Sequence, residues 1–507
     1  MGSNQLTFFV ISLLFIYVFV NVMFVGENYA QTTPDVYVGV DLAYGGVAEA
    51  KALIDKVSSF TNLFVVGSTA VTWYPNRVNE TFQYAYDEGL NIISLPPGLP
   101  DYSSVGVNKT EWYRYANITW GNRVLGFYYL DEPAGRLLDG NMQLTGALSK
   151  QSSYTDVANH FTETLSGRID SNLRSQYSYK AFTSDYALYW FDYEAGYDAI
   201  FAEFGWNCSR ELTVALCRGA ATVRDKEWGV MITWTYNHPP YIESGEELYR
   251  DLVFAYDSGA KYIVVFDGNE GWTQGILMQE HLDALQQFWD YVQNNPRKTV
   301  SVSDRAAYVL PEAYGFGFRG PQDHIWGLWE ADALSKNLSI GVASLLNDYG
   351  EGLDIIYDGL QSVDTCGYRE LFYWDSYRIA SPEISFLSPE NKTYSERNVT
   401  LSFRVDKPVT WIGYSLDNQE QVTITENVTL SNLSVGHHTI AVYAKDNFDV
   451  MGVSETIYFN IAPSEPSSVN IVLVIASVSV AVVSIGSIVY LRKRKKQVAM
   501  THPTKNT

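Results

Sequence analysis

Eight short runs rich in β-branched and aromatic residues recur between residues 36 and 266. They are VYVGV (36–40), NLFVV (62–66), NIISL (91–95), VLGFYYL (124–130), KAFTS (180–184), DAIFAEF (198–204), WGVMITW (228–234) and KYIVVF (261–266). Longer polar segments with helical periodicity lie between most of them, such as GGVAEAKALIDKVSSF and SGEELYRDLVFAYDSGA. Near-continuous apolar strands separated by helices belong to a parallel sheet covered on both faces. Eight such repeats predict an α/β fold, a (β/α)8 barrel over residues 35–300. A doubly wound sheet is the alternative, because the fifth and sixth runs lie close together for a full intervening helix.

The chain has 507 residues, more than one ordinary core accommodates. Residues 301–380 read as a small α/β unit, with AAYVL, LDIIYDG and LFYW as strands and a helix within 331–346. From 381 to 462 the texture changes to about seven short alternating strands punctuated by turn residues, the pattern of an immunoglobulin-like sandwich without paired cysteines. A polar linker, 463–468, leads into a charge-free apolar run at 469–491, long enough for a transmembrane helix. The tail 492–507 opens with Arg492-Lys493-Arg494-Lys495-Lys496, the flank expected on the cytoplasmic side. At the other end, 1–30 reads as a signal peptide cleaved after Ala30, or as an uncleaved anchor. Nine N-x-[ST] sequons lie between the two apolar ends, consistent with an outward-facing glycoprotein.

A net charge of -22 argues against nucleic acid as a partner. Cys208 and Cys217 are close in sequence and are expected to form a disulfide in an oxidising compartment. No metal-ligand spacing, nucleotide loop or G-x-S-x-G elbow occurs, so neither metal nor cofactor is expected.

Barrel enzymes carry their chemistry at the C-terminal strand ends. Those positions hold Asp41, Asp131, Glu132, Asp185, Glu203 and Asp267. Around them stand Trp73, Trp190, Trp206, Trp234, Tyr236, Trp272, Asn237 and His238. Acids ringed by aromatics suit a sugar: one carboxyl protonates the glycosidic oxygen, a second acts as nucleophile or base, and rings stack on pyranose faces. Glu132, ending an apolar strand, is the expected general acid and Glu203 the expected nucleophile or base. The remaining acids and aromatics are expected to hold substrate.

With the strand rhythm, Glu132 at the fourth strand end and the small unit after the barrel, the chain resembles barrel glycoside hydrolases of the β-galactosidase type with an appended α/β domain, and the stretch YVLPEAYGFGFRGPQDHIWGLW resembles the trailing α/β module of archaeal and bacterial hydrolase-like proteins. That resemblance implies a second catalytic Glu at the seventh strand, where this chain has WGVMITWTY instead. The departure leaves three options: a nucleophile from another strand, a different hydrolase family, or a barrel that binds glycans without cutting them. The segment SPENKTYSERNVTLSFRVDKPVTWIGYSLD resembles a module of archaeal surface proteins. Together these readings imply a membrane-anchored extracellular glycosidase, or a non-catalytic surface protein with the same barrel.

Overall fold

In a computed structural model of the chain, residues 35–98, 109–140, 152–170, 176–298, 300–359, 367–463 and 471–498 are described. They divide into two compact units, one ending at Arg378 and the other beginning at Ile379.

The first unit is built on eight parallel strands: β1 (Tyr37–Leu42), β2 (Leu63–Val66), β3 (Asn91–Ser94), β4 (Val124–Tyr128), β5 (Lys180–Asp185), β6 (Ala199–Phe204), β7 (Glu227–Ile232) and β8 (Tyr262–Phe266). Each pairs with the next, and β1 closes on β8 with Gly39 opposite Val264. Closure excludes the doubly wound alternative. The connecting helices are α1 (Val47–Val57), α2 (Pro75–Asp87), α3 (Lys109–Thr119), α4 (Pro133–Leu138), α5 (Tyr154–Ser166), α6 (Tyr189–Ala195), α7 (Arg210–Val223), α8 (Gly245–Asp257) and α9 (Gln279–Asn294). The short interval after the fifth strand holds α6, of 7 residues. The serine in SGEE caps α8: Ser244 Oγ accepts from Glu247 N, and the Glu247 carboxylate accepts from Ser244 N.

Side-chain alternation sorts the strand residues into two cores. Tyr37, Leu63, Val65, Tyr128, Phe182, Phe201, Met231 and Val264 fill the barrel interior. Outward residues such as Val38, Phe64, Ile200 and Val230 pack under the helices.

The rest of this unit is a parallel three-stranded sheet, β9 (Ala306–Leu310), β10 (Leu353–Tyr357) and β11 (Glu370–Tyr373) in the order β10-β9-β11, with helix α10 (Ala333–Tyr349). The buried Asp354 carboxylate joins this sheet to the barrel. It accepts from Arg218 Nε on α7 at 2.7 Å, from a terminal Arg305 nitrogen at 2.6 Å and from the Tyr368 hydroxyl at 2.9 Å. Arg218 also donates to the carbonyls of Glu351 and Leu353.

The expected disulfide is absent: both Cys208 and Cys217 are free. Cys208 lies just before α7, whereas Cys217 is two turns into its buried face. Seven helical residues rise about 10 Å, beyond the roughly 7 Å that a disulfide allows between Cα atoms.

The second unit holds two sheets around one core. Strands β12 (Ile384–Ser388), β14 (Val399–Val405) and β17 (Val428–Leu430) form the first; β13 (Thr393–Tyr394), β15 (Trp411–Leu416), β16 (Val422–Ile424), β18 (Gly436–Lys445), β19 (Met451–Val453) and β20 (Ile457–Ile461) form the second. Leu401 and Leu430 from one sheet meet Val442 and Phe459 from the other. His438 is buried and bonds through Nδ1 to Asp417 at 2.8 Å and through Nε2 to the Ser434 carbonyl at 2.8 Å. The Ser434 hydroxyl also lies 3.3 Å from Nε2, but the shorter bond goes to the carbonyl, so the grouping does not have the arrangement of a nucleophilic triad. Although burial opposes the charge, these acceptors raise the His438 pKa.

Helix α11 (Ile471–Val498) ends the described chain. Among the described residues, no helix is long and apolar enough to cross a membrane. The side chains of 471–479, inside the expected span, lie outside the described set, as do the 1–30 segment and most of the linker and tail.

Two stability effects follow. Asp354→Ala strands two buried guanidinium groups and is expected to cost about 3–5 kcal/mol in chemical denaturation. Because the folded His438 pKa lies above its unfolded value, its contribution is present below about pH 6.5 and lost as pH rises through the folded value. The stability gap between the protein and its His438→Asn variant should therefore be larger at about pH 5.5 than at about pH 8.5.

Candidate active site

The carboxyls at the barrel mouth divide by the direction their strand positions face. On β6, Glu203 follows the inward sequence Ala199, Phe201 and is 8% exposed. On β1, Asp41 follows inward Tyr37, and on β5 Ser184 follows inward Phe182. Asp185 takes the opposite, outward direction, and Asp267 follows the inward-facing Phe266.

Glu132 lies just beyond β4 with a left-handed backbone, φ 47° and ψ 50°. That conformation costs a non-glycine residue about 1–3 kcal/mol and persists only where surroundings hold it. Here Glu132 N donates to the Ser184 carbonyl at 3.1 Å. The next residues are held by Asp185, whose Oδ2 accepts from Ala134 N at 2.7 Å and whose Oδ1 accepts from Gly135 N and Tyr186 N, each at 2.8 Å. Gly135 has no space for a side chain: a Cβ there would lie 2.2 Å from the Tyr186 ring. These restraints bring the Glu132 side chain close enough to Glu203 for each carboxyl to affect the other's ionisation. Glu132 and Glu203 are thus the expected pair, brought together from the fourth and sixth strands.

A row of short contacts continues from Glu203. Ser184 Oγ is 2.5 Å from Glu203 Oε1, Tyr128 Oη is 2.7 Å from Ser184 Oγ, and Asp131 Oδ1 is 2.5 Å from Tyr128 Oη. Asp131 is exposed, so the adjacent acids of the β4 loop sit at opposite ends of the row. The sequence reading missed Tyr128 and Ser184. Their signal was present: both are polar groups at inward positions of otherwise apolar strands.

Burial and clustered negative charge shift the acids. Desolvation, then Asp131 and Asp185, push Glu132 up to about 7. Desolvation, then Glu132 and Asp131, push Glu203 well above the carboxylate range. Asp41 rises to about 8, mainly through burial, against the pull of the Gly67 N–H that it accepts at 3.2 Å.

Several expected substrate holders have other duties. Asp185 rises to about 7 through burial, and its oxygens are engaged by the backbone. Asp267 accepts from Ile276 N, Leu277 N and Gln274 Nε2 at 2.7–2.9 Å, so it braces the β8 loop. Trp190 is buried on α6 against Tyr357 and the Arg224 guanidinium, away from the mouth. Trp234 is half-buried and donates from Nε1 to the Gly268 carbonyl at 2.6 Å.

The other aromatics stay open to solvent on the same barrel end. Trp73 and Tyr74 follow β2, Trp206 follows β6, Tyr236 follows β7 and Trp272, 76% exposed, follows β8. Trp206 and Trp272 both hold left-handed backbones, φ 49° and 60°, which is uncommon for bulky residues. Trp272 packs edge-on against Tyr44, whose hydroxyl lies in the field of Asp131, Asp41 and Glu132. Asn237 and His238 are exposed in the β7 loop, with His238 bonded to the Pro239 carbonyl. No group of metal-ligating side chains occurs among the described residues.

No protein-family model and no curated protein matches the chain. Similar solved structures include a provisionally assigned β-galactosidase from Bacteroides fragilis, 8% identical over 86% of this chain and 56% of that one, with a TM-score of 0.29. A β-glucuronidase from Parabacteroides merdae is 6% identical over 85% of this chain and 50% of its own, with a TM-score of 0.22. The chain thus spans about half the length of each. Fibronectin(III)-like modules of Clostridium thermocellum CbhA align with 16% of this chain and 99% of their own at 11% identity, TM-score 0.14. All are distant, and the barrel assignment stands on the strand order itself.

The site separates stability from chemistry among its acids. Asp185→Ala leaves buried N–H groups without an acceptor and is expected to lower stability by about 3 kcal/mol. Asp131→Asn keeps an acceptor at an exposed position and should stay within about 1 kcal/mol. Denaturant midpoints of the two variants check this.

Proposed function

We propose that the barrel is a glycoside hydrolase working through Glu132 and Glu203. The observation that carries this reading is a pair of interacting carboxyls at the C-terminal mouth, on an end that also bears five exposed Trp and Tyr side chains. Inverting enzymes keep their carboxyls about 6.5–9.5 Å apart to admit water, whereas retaining pairs stand at about 5–5.5 Å. Direct interaction of the two carboxyls fits the closer, retaining spacing better than the wider one.

The order of ionisation assigns the roles. Glu203 is the more deeply enclosed and keeps its proton longer, while Glu132 ionises first, at about 7. Ionised Glu132 attacks the anomeric carbon, and protonated Glu203 donates to the departing glycosidic oxygen. Water then enters, Glu203 removes its proton, and the bond to Glu132 breaks. This exchanges the roles expected from sequence. The carboxyl-rich mouth favours neutral or amino sugars over uronates, because a sugar carboxylate would face Asp131 and the ionised Glu132.

The test is a panel of neutral, amino-sugar and acidic glycosides, with product configuration read by NMR. Cleavage with retention is expected. Glu132→Gln and Glu203→Gln should each lower kcat/KM by about 10³-fold or more. Activity unchanged in both variants overturns the assignment, and glycan binding without cleavage supports the binding-protein alternative. In the intact protein kcat/KM should rise as pH increases through about 7, because Glu132 must lose a proton to act. A fall over that interval would return the acid role to Glu132.

Membrane attachment is part of the proposal and rests on sequence: residues 469–491 carry no charge, and RKRKK follows directly. Vesicle flotation of the full chain, lost on deletion of 469–491, is the expected result. Flotation of the deleted protein would overturn the attachment.

A further inference from the structure

Between buried Glu203 and exposed Asp131 there are three short oxygen–oxygen contacts but two hydroxyl protons, one on Ser184 and one on Tyr128. If both end carboxyls were ionised, Ser184 would donate to Glu203 and Tyr128 to Asp131. The 2.7 Å contact between the two hydroxyls would then hold no proton. A hydrogen bond in every contact requires a third proton, supplied by a carboxyl at one end. Supplied by Glu203, it makes every link donate toward Asp131. Supplied by Asp131, it makes every link donate toward Glu203.

We propose that Ser184 and Tyr128 are a proton relay joining the Glu132–Glu203 pair to the exposed Asp131. The inference rests on the glycosidase reading for its purpose, but not for its geometry. One passage moves three protons by one link each: Glu203 to Ser184, Ser184 to Tyr128, and Tyr128 to Asp131. The O–H bonds of Glu203, Ser184 and Tyr128 break, and new ones form on Ser184, Tyr128 and Asp131. Both hydroxyls remain neutral, and the net change is one proton carried from the interior to the rim. The reverse passage recharges Glu203. Such a route lets the pair exchange its proton with solvent while a sugar covers the mouth. The charged or titratable groups facing the row include Glu132 and Arg136 beside β4, Asp185 from β5, Tyr189 from α6, and Asp41 and Tyr44 from β1. None of them offers a second hydroxyl bridge between Ser184 and Asp131 among the described residues. Tyr128 and Ser184 are positioning residues in this scheme, because neither need touch the substrate.

The test is an infrared titration of the full chain, which needs no substrate. Glu203→Gln identifies the protonated-carboxyl band of Glu203. In the intact protein that band is expected to shift as Asp131 ionises. Asp131→Asn should abolish the shift. Tyr128→Phe and Ser184→Ala, each breaking the row at one oxygen, should at least halve it. A shift undiminished in both variants overturns the relay, since charge acting through space would then account for it. Circular dichroism checks folding; should Tyr128→Phe unfold, Ser184→Ala alone decides. A responsive band in a protein that cleaves no glycoside overturns the glycosidase reading and leaves the relay standing. Cleavage with an undiminished band in the variants does the opposite.

Discussion

Closure of eight strands, sealed where β1 pairs with β8, is the constraint on which the rest of the first unit depends. In a closed barrel a strand residue points either into a small shared interior or out toward the helices. Below the mouth the interior is filled by Tyr37, Phe182, Phe201 and Tyr262. At the mouth the same inward direction is taken by Asp41, Ser184 and Glu203. A carboxyl placed there has lost much of its water without receiving a cation. The compensation comes from protons, held by Glu203 and shared with its neighbours, rather than from ion pairs.

The outward acids do the opposite work. Asp185 gathers N–H groups from Ala134, Gly135 and Tyr186, and Asp267 gathers those of Ile276 and Leu277. Each turns a loop that follows a strand into a defined surface. The left-handed turn at Glu132 is stable because Asp185 ties the residues beyond it to β5. The Arg218–Asp354–Arg305 grouping extends the same logic outward, fastening the appended sheet to α7 through a buried carboxylate shared by two guanidinium groups. Geometry at the site is therefore bought from polar groups that never meet a ligand.

Much of this was legible beforehand. The eight strands fall within a few residues of the apolar runs, and Glu132 and Glu203 meet although they lie 71 positions apart in the sequence. Where the structure places residues elsewhere, the cause is the direction a side chain takes. Position along the chain alone puts Asp185, Asp267 and Trp190 near strand ends. Asp185 points outward, Asp267 is taken up by its own loop, and Trp190 is carried by α6 to the sheet of β9–β11. The same cause hid Ser184, whose inward direction follows from Phe182 two residues earlier. Cys208 and Cys217 failed for a helical version of the same reason, since α7 separates residues that are close in sequence.

By itself the sequence determined the number and order of the barrel strands and the kind of the elements that follow, because hydrophobic periodicity and turn residues are local properties that each segment carries alone. It also determined that acids and aromatics would collect at the strand ends. Only the tertiary structure decided which of those acids touch. Contact between Glu132 and Glu203 depends on the register of three neighbouring strands and on a left-handed turn held from β5. Both are set by closure of the barrel, which no single segment encodes.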